Sequence, residues 1–495
     1  MQTATQLKSK PGFVGAGDQL MYIDGQRVAA VSGKTIKVID PATGEQIGTA
    51  PAGEKADVDR AVAVARRTFD TGVWRNMPGA ARQAILWKAS DLFAAETESL
   101  ARLEALNAGQ LLPVAQMMVM GAIEMLRYYA GWATKIHGQT AEVSSPMMGQ
   151  FHAYTLREPI GVAAMIVPWN FPIVLAMSKL AAALAAGCSC IVKPSEETPL
   201  SALRMAEIFE QAGVPKGVIN VVTGYGDTAG AALAAHPQVD KVAFTGSGEV
   251  GKLIVKAAAG NLKKVTLELG GKSPVIIFDD ADLAKAIPST AQGIFFHSGQ
   301  VCMAGSRVYV QRGVFDQVMQ GLAAAAESLK VGPNFDPSTQ VGPLISDKQL
   351  KRVLGYIESG IAEGAQLITG GKRVGDRGFF IEPTILANPK PDAKIVKEEI
   401  FGPVLTAIPF DTLEEVAAAA NDTTYGLACA VWTRDISKAH LMAKRLQNGF
   451  VWINCQFVSD VSLPGGGFKQ SGWGRELGHE GLDAYLQSKS VFTAL

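Results

Sequence analysis

Two side chains stand out for the chemistry that their residue types could do. Cys302 lies in Ser298-Gly299-Gln300-Val301-Cys302-Met303-Ala304-Gly305-Ser306-Arg307, among small and mostly uncharged neighbours. A cysteine thiolate is a strong nucleophile. A lone free cysteine is also among the most buried residue types, so inert packing is the competing reading of this stretch on its own. Glu268 lies in VTLELGG (265–271). A carboxylate in so apolar a run is uncommon without a task.

Two further segments suit a nucleotide. Gly246-Ser247-Gly248-Glu249-Val250-Gly251 has the G-x-G-x-x-G spacing. Such glycines let the backbone approach a pyrophosphate, and the amides of the following helix attract its charge. With 52 glycines in the chain the spacing also arises by chance, so its weight comes from its place between a strand and a helix. KPSEETP (193–199) follows an apolar strand and sets Lys193 and Glu196 at its carboxyl end, where open α/β sheets bind ligands. A charged surface connection is the plain alternative. The fingerprint expects an acid about 20 residues on, for the ribose hydroxyls. Glu268 stands 20 residues after Gly248 and Glu196 competes with it. Spacing alone leaves both assignments open.

The surrounding pattern predicts the elements that position these groups. Residues 21–50 read as paired strands, with Asp24-Gly25 and Pro41-Ala42-Thr43-Gly44 as turns. From about 56 to 129 the pattern is helical, and Val58, Ala61, Val62, Ala65 and Phe69 share one face. Residues 149–158 are β-like. Beyond them, strands at 162–167, 190–193, 218–222, 241–245 and 263–269 alternate with helices at 173–187, 197–213, 227–236 and 249–260. Continuous apolar strands between helices indicate a parallel sheet covered on both faces. After Gly270-Gly271, a plausible hinge, a second α/β series opens with a strand at 273–278 and a largely helical 282–299.

Bulk properties narrow the function. The chain has 495 residues, 48% of them hydrophobic, enough for two to four domains with large cores. Forty-six Lys and Arg balance 46 Asp and Glu, so there is no basic footprint for nucleic acid or acidic lipid. The five cysteines form no C-x-x-C pair and suit a reducing, cytoplasmic setting. Cys188 and Cys190 read as the two faces of a strand. The six scattered histidines include no H-E-x-x-H, so no metal is expected. The first 15 residues show no apolar core of signal length. The apolar region 159–192 is broken by Pro168, Asn170 and Pro172, which argues against a membrane span. A P-loop, G-x-x-x-x-G-K-[ST], is missing.

Seven segments occur in order: IVPWNFP (166–172), KPSEETP (193–199), FTGSGEVG (244–251), LELGGKSP (267–274), GQVCMAGSR (299–307), EEIFGPV (398–404) and GFKQSGWGRELG (467–478). Together they resemble the NAD(P)-dependent aldehyde dehydrogenases of the non-acylating kind, across nearly the whole chain. The resemblance implies an α/β fold with a Rossmann-type cofactor domain, an α/β catalytic domain and a small β oligomerisation arm. The expected divisions are 1–137 with 159–270, then 271–470, and the arm at 138–158 with 482–495. It implies Cys302 as nucleophile, Asn170 as oxyanion donor and Glu268 as the base that activates water. It thereby moves the ribose to Glu196 and Lys193. Lys179 and Glu476 match a proton path, with a structural ion pair as the alternative. Ile166, Pro168, Trp169, Ser195, Gly226, Phe244, Thr245, Gly246, Ser247, Gly251, Leu269, Glu399 and Phe401 match the cofactor site.

Glu196 favours NAD over NADP, because a carboxylate repels a ribose 2′-phosphate. The partner implied is a small-molecule aldehyde, and the assembly a homodimer or homotetramer. Where many relatives carry Pro-Phe-Gly-Gly this chain has Pro464-Gly465-Gly466, so the missing ring is expected to leave space beside an apolar lining of Phe171, Leu175, Met177, Phe296, Val301, Met303 and Phe457. That favours a bulky apolar or aromatic aldehyde such as phenylacetaldehyde. Small aliphatic, betaine or amino aldehydes are the alternative. Glu268 speaks against transfer to coenzyme A, since acylating relatives typically lack it. With Cys302 and Asn170 it also speaks against an inactive structural descendant.

Overall fold

The computed structural model describes residues 17–144, 147 and 149–495. The N-terminal stretch read for a targeting core lies outside the described residues, as do 145, 146 and 148 of the expected arm. Two parallel sheets organise the rest. In the first, Lys264–Glu268, Lys241–Thr245, Val162–Ile166, Ser189–Lys193 and Ile219–Val221 run parallel in that spatial order. Antiparallel strands extend both edges: Gly472–Trp473 on one side, and the Met21–Ile23/Gln26–Val28 hairpin on the other.

Alternate side chains of these strands enter separate cores, as the pleat requires. Ala163, Met165, Cys190 and Val192 pack with the helices of 79–132, Pro172–Ala186 and Leu200–Ala212. Val162, Ala164, Ile166 and Ile191 pack with Lys55–Thr71, whose Val58, Ala61, Val62, Ala65 and Phe69 are all buried. Cys188 and Cys190 share the first of these cores. The reading that set them on two faces fails because residues two apart on a strand point the same way. The helix expected at 227–236 begins as a π-helical turn at Gly226–Gly230 before Ala231–Ala235.

From Val162–Ile166 the chain builds outward through Ser189–Lys193, then returns to the other side with Lys241–Thr245. Such a reversal opens a crevice at the strands' carboxyl ends. Ile166, the loop to Asn170, Lys193 and Gly246 all lie at those ends.

The second sheet holds Thr384–Ala387, Val404–Phe410, Arg307–Gln311, Pro274–Ile277, Ala428–Trp432 and Phe450–Ile453 in parallel, with Gln366–Thr369 antiparallel at one edge. Gly271, Cys302 and Glu399 each precede a strand of this sheet, so they approach from its amino ends. The site therefore lies between the carboxyl ends of one sheet and the amino ends of the other. The chain returns to the first lobe after 470, where Leu482 and Tyr485 join its core. Leu486–Ala494, Phe151–Pro159 and Thr140–Ala141 form a separate three-stranded antiparallel sheet. No helix among the described residues is long and apolar enough to cross a membrane.

Candidate active site

The turn that presents Cys302 is strained. Helix Leu283–Phe295 gives way to His297 and Ser298 at φ 47° and 55°, followed by Gly299 at 69°. Non-glycine residues in this region cost roughly 1–3 kcal/mol each and persist only where the surroundings enforce them. Here the surroundings are polar and buried. Ser298 Oγ donates to the Gly342 carbonyl at 2.7 Å, and the Gln300 carboxamide accepts from the Ile345 N–H at 2.9 Å. A β-carbon on Gly299 would stand 2.0 Å from the Gly402 carbonyl oxygen, so only glycine fits. Downstream, buried Arg307 donates to the carbonyls of Lys272 and Ala420, both at 2.9 Å, anchoring the far end of the loop.

The Cys302 thiol is only partly accessible. Burial pushes it up to about 12, and the carboxylates of Glu399 and Glu268 add to this. The backbone N–H groups of Met303 and of Cys302 itself oppose the rise. Asn170 is held against the same loop. Its Nδ2 donates to the Gln300 carbonyl at 2.9 Å, and its own carbonyl accepts from Gln110 Nε2 at 3.0 Å. A carboxamide nitrogen has two hydrogens, so one is left for an oxyanion.

Glu268 ends its strand with Oε1 buried and without a hydrogen-bond partner. Burial raises its pKa well above the usual carboxylate range; Glu476 reinforces this, while Lys179 and Arg475 oppose it. Lys179 and Glu476, by contrast, form a direct ion pair. Lys179 Nζ also donates to Thr245 Oγ1 at 2.6 Å, and Ser178 Oγ donates to Glu476 Oε2 at 2.9 Å. A paired, hydrogen-bonded charge is stably buried, whereas an orphaned acid is held ready for a ligand or water.

The nucleotide signals converge on the crevice. Gly251 packs its helix on buried Leu269, since a β-carbon there would lie 2.9 Å from Leu269 Cδ2, and one on Gly246 would meet the Phe244 ring at 2.4 Å. Gly248 and Gly226 instead face open space, with nothing within 4 Å of an added β-carbon. Protein packing does not require glycine at those two positions, and close approach by a ligand would. Ser247 caps the helix Gly248–Ala258, accepting from the Val250 N–H at 3.3 Å. Lys193 and Glu196 pair at 3.2 Å, and the Ser195 hydroxyl accepts from the Glu197 N–H at 3.3 Å. Ile166 and Phe244 are buried beneath the crevice, and Pro168 is half-buried at its rim. Across it, Trp169 and Phe401 meet edge to face at 5.3 Å. Glu399 Oε1 accepts from the Gly271 N–H at 2.9 Å, and burial pushes this carboxyl up to about 7. These residues fit a dinucleotide.

The apolar lining is partly as expected. Phe171 and Phe296 stack at 6.3 Å, Phe296 meets Phe457 at 5.9 Å, and Leu175, Val301 and Met303 pack with the same cluster. Met177 does not join them. It is fully buried in the core that the helices of the first lobe share with one face of its sheet. Nor does Gly465 open a void: a β-carbon there would lie 2.8 Å from Cζ of Phe450. Four supports escaped the sequence reading: His297, Gln110, Arg307 and Phe450. The His297 ring rests on Phe171 at 4.9 Å, and burial pushes its pKa down to about 4. Only Phe450 had a local signal, since it alternates with Trp452 on one face of a strand.

The model of the aldehyde dehydrogenase family matches residues 28–491. Retinal dehydrogenase 2 of Homo sapiens is 48% identical over 474 residues, covering 95% of this chain and 91% of that one. The NAD+ complex of an aldehyde dehydrogenase from Bacillus cereus superposes with a TM-score of 0.94 at 46% identity, covering 97% of both chains. Betaine aldehyde dehydrogenase from Staphylococcus aureus, also solved with NAD+, gives 0.94 at 42% identity, covering 96% of this chain and 94% of that one. With Cys302, Asn170 and Glu268 gathered between two α/β lobes, the chain belongs to the aldehyde dehydrogenase family.

Proposed function

We propose that the protein oxidises an apolar, preferentially aromatic aldehyde to its carboxylic acid with NAD, phenylacetaldehyde being the compound of choice for a test. The observation that carries hydrolysis is the half-buried Glu268 carboxyl beside the Cys302 loop, whose buried Oε1 has no hydrogen-bond partner. Once the Cys302 thiol has lost its proton to solvent water, the thiolate attacks the aldehyde carbon and forms a thiohemiacetal. The free Asn170 N–H and the Cys302 backbone N–H stabilise its oxyanion. NAD, when bound, would supply the acceptor for the hydride that leaves this carbon. Cys302 then carries a thioester. Glu268 takes a proton from water, the hydroxide adds to the thioester carbon, and the acid departs as Cys302 regains its thiolate.

Glu196 and Lys193 would hold the adenosine ribose, Ser247 and Trp169 the region of the pyrophosphate, and Glu399 and Phe401 the nicotinamide ribose and ring. The Glu196 carboxylate favours NAD over NADP. Lys179 and Glu476 carry the proton away from Glu268 or fix its field. The rings of Phe171, Phe296 and Phe457 support an aromatic substrate. The arm sheet ends in exposed Phe492 and Leu495 and offers an edge for pairing with a second copy. Five free cysteines suit a reducing cytoplasm.

The test is NADH formation over a panel of aldehydes, with Cys302→Ala as control and product analysis with and without coenzyme A. Higher kcat/KM for phenylacetaldehyde than for acetaldehyde or betaine aldehyde, with free acid as product, is the expected result. A preference for either of the latter overturns the substrate, and kcat/KM for NADP at or above that for NAD overturns the cofactor preference.

A further inference from the structure

The edge strand Phe450–Ile453 sets Phe450 and Trp452 on one face, their rings 6.0 Å apart and inclined by 24°. Trp452 meets Phe457 at 5.9 Å, Phe457 meets Phe296 at 5.9 Å, and Phe296 stacks on Phe171 at 6.3 Å. Five rings thus run unbroken from the neighbour of Asn170 to the loop that carries Gly465. At that end a β-carbon on Gly465 would lie 2.8 Å from Phe450 Cζ and 3.5 Å from its Cε2. Gly465 is not among the glycines with positive φ, so the backbone does not demand glycine there; the Phe450 ring does. The next residue, Gly466, is equally confined on the other side, where a β-carbon would lie 2.9 Å from Glu268 Oε1. The loop is therefore wedged between the proposed base and the Phe450 ring.

We propose that Phe450 is a specificity-determining residue, its ring filling from the strand the volume that a side chain at position 465 would otherwise fill from the loop. The inference rests on the aldehyde reading of this pocket. The glycine and the phenylalanine are then one device, and neither should change without the other. A pocket gains or loses roughly 10- to 200-fold in discrimination for even one methylene, so removing a whole ring gives a measurable shift.

The experiment compares Phe450→Ala, Gly465→Phe and the double variant with wild type, reading thermal stability and kcat/KM with NAD for propanal, octanal, phenylacetaldehyde and naphthaldehyde. Phe450→Ala is expected to raise the naphthaldehyde-to-propanal ratio about tenfold or more. Gly465→Phe alone is expected to lower Tm and activity toward every aldehyde. The double variant should recover both, with a ratio near that of wild type. If Phe450→Ala does not fold, Phe450→Leu takes its place with a smaller shift in the same direction. An unchanged ratio in the folded Phe450 variant, or a Gly465→Phe enzyme as stable and selective as wild type, overturns the proposal. Wild-type preference among these aldehydes tests the substrate reading separately, because the change in ratio is readable whichever compound wild type prefers.

Discussion

The two sheets feed one site from opposite ends. The first delivers Asn170, Lys193, Gly246 and Glu268 from the carboxyl ends of its strands, where a chain reversal opens a crevice for any doubly wound fold. The second delivers Gly271, Cys302, Glu399 and Phe450 from its amino ends, where no such rule applies. The first half is built from residues whose own chemistry or lack of a side chain states their use. The second half depends on enforced geometry: left-handed His297 and Ser298 before Cys302, and left-handed Phe401 after Glu399. One half holds ligands by a general property of the fold, and the other aims reactive groups by local strain.

The comparison breaks most visibly at Glu268. Glu268→Gln removes the proposed base and should lower steady-state turnover by roughly 10²- to 10⁴-fold. A rapid first equivalent of NADH should survive in stopped-flow traces, because acyl transfer to Cys302 does not need Glu268. Loss of that first equivalent would place Glu268 in the attack step as well. Asn170→Ala removes the proposed side-chain oxyanion donor and should lower kcat by roughly 10²- to 10³-fold. Here the first equivalent slows too, since the donor acts before hydride leaves.

The amino-end half is sharpened by pH. Burial holds His297 at about 4 against an ordinary 6.5. Between those values the unfolded chain binds a proton that the folded chain refuses, so stability falls as pH falls from about 6.5 toward 4. The loss attributable to this group reaches about 3 kcal/mol. Denaturant titrations of wild type and His297→Gln across that range should show the slope reduced in the variant. Equal slopes would mean that the imidazole is solvated and that the turn is not packed as described.

Much of this site was legible in the sequence. Cys302, Glu268 and the G-x-G-x-x-G segment carry chemistry in their residue types, and the ordered motifs joined them. Spacing left the ribose open between Glu268 and Glu196; the buried, partnerless Oε1 of Glu268 beside the Cys302 loop speaks for the base. The fold was legible where apolar periodicity set one or both faces of an element, as at Val58 to Phe69. What was not legible is volume. Glycine at 465 suggested a hole, yet Phe450, 15 residues earlier on another element, fills it. Met177 fits an apolar wall by type and faces a core by helical phase. Rings and methyl groups are interchangeable in composition, and only tertiary structure says which one occupies a given space.

The central claim is that Cys302 carries the acyl group. Glu268→Gln enzyme mixed with NAD and phenylacetaldehyde, quenched in acid and digested, should show by mass spectrometry one phenylacetyl group on the peptide containing Cys302. The other four cysteines should remain free, and no adduct should form without NAD. An adduct on a different cysteine, or NADH formed with no acyl group on Cys302 at any quench time, would contradict the account.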